Sequence, residues 1–195
     1  MSRDTFILTK TLSEILRAKG RASSHHYCQL QSWKGAIESE RNNPDFSCGM
    51  GYREMLYLKG LILLFETHPS RGQMGSASSA EVMASCIRLV DIAHQWAIDE
   101  RPLGWTVGSF VFEAAIIHLD IAIRDHYARS QQSLTDAMTI FSKCATTLGS
   151  CAQRFAAFKR HHELYAALAG MVSRFFERDL VASLAGNSWQ SLLVN

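Results

Sequence analysis

Between Met55 and Phe65 only Lys59 and Gly60 are not apolar. A run this apolar must be covered on nearly all sides. It is too short to span a bilayer, which takes about 20 apolar residues, and runs of about 10–14 mark buried core helices. The stretch Met50 to Pro69 therefore predicts a central helix with others packed around it. Length supports this, since 195 residues suffice for one domain with a real core.

The flanking segments repeat at helical spacing. Thr5 to Lys19 carries Phe6, Leu8, Leu12, Ile15 and Leu16, with Gly20 as a stop. Arg21 to His26 reads as a loop; adjacent His25 and His26 diverge on a helix and make a poor metal pair. Gln29 to Arg41 places Leu30, Trp33 and Ile37 on one stripe, and Asn42-Asn43-Pro44-Asp45 breaks it. Ser70 to Ser79 reads as a Gly/Ser loop, with Ser78 and Glu81 as a capping box. The next helix sets Met83, Cys86, Ile87, Val90, Ala93, His94 and Ala97 on one side, and Arg101-Pro102 ends it.

Gly104 to Ala128 predicts a second, mostly apolar helix. Its polar exceptions are Glu113, His118 and Asp120. A charge at bilayer depth is expensive, so these residues argue for a helix buried in protein. Leu134 to Leu148 follows, with Gly149-Ser150 as a break. The last long helix, Cys151 to Asp179, carries Phe155, Phe158, His162, Tyr165, Ala169, Val172 and Phe176, with Leu164, Leu168, Met171 and Phe175 widening the stripe. A short helix around Trp189 and Leu192 closes the chain. No segment alternates with period two. The expectation is all-α: an irregular bundle of six to eight helices around the central apolar one, in a single domain.

Charge narrows the function classes. With 20 basic and 18 acidic residues the net charge is +2. Phosphate neutralisation drives nucleic-acid binding, so this balance does not predict direct DNA binding. The five cysteines are odd in number and irregularly spaced, which reads as reduced, mostly buried thiols in an intracellular protein. The segment MSRDTFILTK does not read as a secretory signal.

No phosphate loop, dinucleotide fingerprint, HExxH, CxxC or GxSxG occurs. Cys144 and Cys151 have zinc-cluster spacing without the flanking cysteine pairs that four-coordination needs. No metal or cofactor is expected. The candidate polar pocket groups are Glu113, His118 and His94. Glu113 and His118 are five apart and diverge by roughly 140°, so they form no acid–base pair on one helix face. His94 falls on an apolar face, where a core histidine with one hydrogen-bond partner is the expected role.

Five stretches in order resemble the fungal-specific transcription factor domain, the middle homology region of binuclear zinc-cluster regulators. They are Leu30-Gln31-Ser32-Trp33; Tyr57 to Leu64 followed by His68-Pro69; Ser78 to Trp96; Phe110 to Leu119; and Ala152-Gln153-Arg154. The likeness runs from about residue 5 to 178. Phe65-Glu66-Thr67-His68 departs from the family's usual ending. What is present resembles the family domain's C-terminal half, without its N-terminal half or zinc cluster. The resemblance implies a nuclear, non-enzymatic regulatory domain that holds inhibitory states, with room for a small-molecule effector and no catalytic residues. Helices bordering the missing half would then expose apolar stripes. Leu8, Leu12, Leu16 and Trp33 are the expected interface, for a protein partner or a second copy. Two other readings compete: an all-α enzyme with Glu113 or His118 as acid or base, and a plain interaction scaffold.

Overall fold

A computed structural model describes residues 3–17, 24–41, 47–67 and 76–192. Among them the chain is all-α, with eight helices and no strand. They are α1 (Arg3–Arg17), α2 (Ser24–Arg41), α3 (Ser47–Thr67), α4 (Ser76–Ile98), α5 (Trp105–Arg124), α6 (His126–Ser130), α7 (Leu134–Arg154) and α8 (Ala157–Leu192).

The apolar run is buried without interruption from Met55 to Leu63. Helices α1, α2 and α4 pack on α3, and α5 touches it over a smaller area. Gly60 lets α1 and α2 approach, because a Cβ there would lie 2.8 Å from Leu30 Cδ2 and 3.3 Å from Leu12 Cδ2. The centre is shared, however. Helix α5 is covered by α4, α6, α7 and α8 and buries residues as far apart as Val107 and Ala122. Helix α4 touches α3, α5, α6 and α7, joining the two halves into one core. By length and composition α5 could cross a membrane; here it lies inside the bundle.

Several boundaries differ from those the sequence predicts. Helix α2 already includes His25 and His26, and α4 starts at Ser76, so Ser78 lies inside the helix instead of capping it. Helix α4 ends at Ile98 through its backbone, before Pro102 acts. Glu100 takes φ 54°, Glu100 N–H donates to Ala97 O (3.3 Å) and Arg101 N–H to Trp96 O (2.9 Å). These paired bonds satisfy the orphan carbonyls of a helix end. Helix α5 stops at Arg124 because Asp125 turns extended and its carboxylate accepts from Ala128 N–H (3.0 Å), starting α6. Arg129, largely buried, then donates to Ala122 O (2.6 Å) and Ile123 O (3.2 Å) at the end of α5.

Gly149-Ser150 does not break the chain. Helix α7 runs on to Arg154, and the turn falls at extended Phe155, so Cys151 belongs to α7. Ser133 caps α7, accepting from Asp136 N–H (3.0 Å) and donating to its carboxylate (2.6 Å). The terminal segment around Trp189 and Leu192 continues α8 instead of forming a separate helix. The expected loops at Arg21–Ser23, Asn42–Asp45 and Ser70–Gly75 lie outside the described residues.

Of the interface residues expected on the N-terminal helices, the side chains of Leu12 and Trp33 are described. Leu12 is 7% exposed, Ile15 is fully buried, and Trp33 packs half-buried against the core. Leu12 and Ile15 of α1 and Leu30 and Ile37 of α2 are buried, and both helices pack on α3, whose apolar surface on those sides needs covering. The Leu8 and Leu16 side chains lie outside the described residues.

Candidate functional site

The three polar groups singled out in the sequence lie in three different settings. Glu113 forms an ion pair with Lys59 of α3, linking the two most apolar helices. The Lys59 side chain is 6% exposed and that of Glu113 is 44% exposed. Burial lowers the Lys59 pKa; the Glu66 carboxylate and the Cys86 thiol oppose that shift. Lys59 Nζ makes no aligned hydrogen bond within the protein. The signal for this pair is visible in the chain: Lys59 is the one charged residue in its apolar run, and Glu113 is one of few in α5. Pairing them takes the tertiary structure.

His118 sits on a different face of α5, 1% exposed, with its ring edge-on to Phe141 at 5.8 Å. Desolvation pushes its pKa down to about 4, and the neighbouring Gln132 amide opposes this. His118 Nε2 and both polar atoms of Gln132 are buried without a hydrogen bond of good geometry. The ring is therefore neutral at pH 7 and cut off from solvent, a poor position from which to exchange protons with a substrate. The linkage has a definite sign. The unfolded chain binds a proton near pH 6.5 that the fold refuses until about pH 4, so stability present above pH 6.5 is lost as pH falls through that window. The expected loss is about 3 kcal/mol. His118→Phe should flatten this part of the stability-against-pH curve relative to the parent, measured by denaturant melts. An unchanged slope would mean that the ring already protonates in the fold.

His94 is half-buried rather than in the core. It lies in a surface cleft of about 550 Å³ between α3, α4 and α7. Its Nδ1 is 3.4 Å from Thr147 Oγ1. Desolvation, then the Lys143 charge, lower its pKa, and Asp91 opposes them. Four other charged groups of the cleft pair across helices: Arg88 donates to both oxygens of Glu54 (2.7 and 3.2 Å), and Lys143 to Asp91 (2.7 Å); Arg101 pairs with Asp99 (3.5 Å) just past the end of α4. Sequence patterning put Arg88 on the polar side of α4 without indicating its partner. A second cleft of about 410 Å³, lined by Met83, Ile87, Gln132, Asp136 and Ile140, opens on the other side of Lys143.

The thiols behave as packing groups. Cys86, Cys144 and Cys151 are buried and free. Desolvation raises all three, Cys144 to about 12 and Cys151 to about 11, leaving them un-ionised and inert. Among the described residues no group of three or more His, Cys, Asp or Glu could hold a metal ion.

Fold and site together define an all-α multi-helix bundle whose polar groups join helices to one another. No protein family, curated protein or solved structure matches the chain.

Proposed function

We propose that the chain is a non-enzymatic, transcription-regulatory helical domain, related to the middle region of fungal zinc-cluster regulators. It works in the nucleus through protein contacts, with a small-molecule effector as a further input. The ordered resemblance of five stretches motivates this reading. The observation that carries it is the fate of the acid–base candidates. Glu113 is held by Lys59, His118 is sealed against Phe141, and His94 lies in a cleft whose other charges are paired, so no two of them face a common reacting atom. On this reading the chain contacts neither zinc nor a specific DNA site by itself.

The test is to tether the whole chain to an unrelated DNA-binding module at a reporter promoter. Transcription should change several-fold relative to the module alone. A tethered, folded chain that leaves the reporter unchanged would remove the regulatory reading. Stoichiometric zinc, or salt-dependent binding to one DNA sequence, would overturn the expectation that it needs another module to reach DNA.

A further inference from the structure

Lys143 borders three clefts, of about 410, 550 and 570 Å³. Of these, only the smallest is lined by a side chain whose polar atoms are buried and unpaired, that of Gln132. This cleft lies between α4 and α7, with Gln131 and Gln132 of the α6–α7 turn near the start of α7. Met83, Ala128 and Ile140 in its wall are buried and Ile87 is half-buried, so its floor is apolar. A concave, mostly apolar surface of about 300–1,000 Å³ with a few polar groups is the usual form of a small-molecule site.

The charged groups of the lining do not favour an ionised ligand. Lys143 is held by Asp91 (2.7 Å). Asp136 is exposed, where water screens it, and it accepts from the Ser133 hydroxyl (2.6 Å). Gln132 is the polar group left over. Its amide oxygen and nitrogen lie out of solvent contact at the inner wall, beside His118, and neither has a partner of good geometry. Unpaired buried polar groups are unfavourable, and native folds hold few of them.

Gln132 stands at the bend between α6 and α7, inside neither helix. Its side chain can turn into the cleft about its own torsions, which breaks no aligned hydrogen bond and unwinds no helix. A carboxamide presents an acceptor and a donor side by side. Another amide edge, from a primary carboxamide or a lactam, satisfies both at once, its C=O and N–H meeting them in reverse order. The apolar body of such a ligand displaces water from the floor, while its amide reproduces the hydrogen bonds that water would make to Gln132.

We propose that the cleft between α4 and α7 is a binding site for a small uncharged carboxamide or lactam on an apolar body. Gln132, turned into the cleft, reads the amide edge, and Met83, Ile87 and Ile140 hold the body. The site supplies the effector input of the regulatory reading and rests on that reading for its purpose. Binding is measured on the free chain, so an empty cleft and a silent reporter are separate failures.

The probe is benzamide, titrated to millimolar concentration into the full chain and followed by nuclear magnetic resonance. The Met83 methyl and Gln132 side-chain amide signals should shift saturably. N,N-Dimethylbenzamide keeps the ring and the carbonyl but has no N–H, and it should bind about tenfold more weakly. Gln132→Leu should lower benzamide to the level of the dimethyl probe and abolish the preference. Ala84→Trp, at an exposed position on the rim, should block both probes while the circular dichroism melt stays parental. Four results would each overturn the proposal: no saturable shift, equal binding of the two probes by the parent, a preference that survives Gln132→Leu, or shifts that survive Ala84→Trp. The comparison of probes on the parent chain tests it even if a variant fails to fold.

Discussion

Glu113→Ala is expected to cost about 2–3 kcal/mol, short of the about 3–5 kcal/mol seen when one partner of a fully buried ion pair is removed, because the charge left behind is buried but Glu113 itself is 44% exposed. Lys59, the group left behind, is almost wholly buried, whereas Glu113 reaches solvent. The pair is therefore asymmetric. Lys59→Met should be far milder, and a gain in stability is compatible with the same geometry, because the freed carboxylate hydrates while methionine packs between α3 and α5. Glu66, the other carboxylate acting on Lys59, is exposed and offers only partial compensation. The pH dependence follows from the lowered Lys59 pKa. The fold disfavours the charged amine, so the deficit of Glu113→Ala should shrink as pH rises toward the unfolded-state value near 10.5. Denaturant melts of both variants check this. Equal losses in the two would mean that the ion pair is effectively solvated on both sides.

Leu61→Ala and Leu63→Ala should each cost about 2–5 kcal/mol. Both leucines are 6% exposed, within a run buried from Met55 onward. Helices α1, α2 and α4 hold α3 on several sides, so the space vacated by the isobutyl group cannot be filled by a shift of one neighbour. The comparison that matters is with Leu164→Ala on α8, which is 49% exposed and should stay within about 0.5 kcal/mol. If the α3 variants melt like the parent, α3 is peripheral and the packing described above does not hold in solution.

The class of fold and its most deeply buried segments were legible in the chain alone. Helical periodicity and the lack of any period-two stretch specify all-α, since the two periods place apolar groups on incompatible faces. The uninterrupted run in α3 and the sparse polar residues of α5 mark the two helices that others must cover. Boundaries were less legible, for local reasons: Gly149-Ser150 stays helical because α7 packs along α8 there, and α4 ends through the left-handed Glu100 ahead of its proline. Tertiary structure alone decided the partners. The sequence shows that Lys59 and Glu113 are anomalous, but which charge meets which depends on how α3 crosses α5. It shows that α1 and α8 are both amphipathic, but not that Leu12 and Ile15 of α1 are buried while Leu164, Met171 and Phe175 of α8 stay exposed. Periodicity sets how wide an apolar face is. Only the packed neighbours set how much of it is covered.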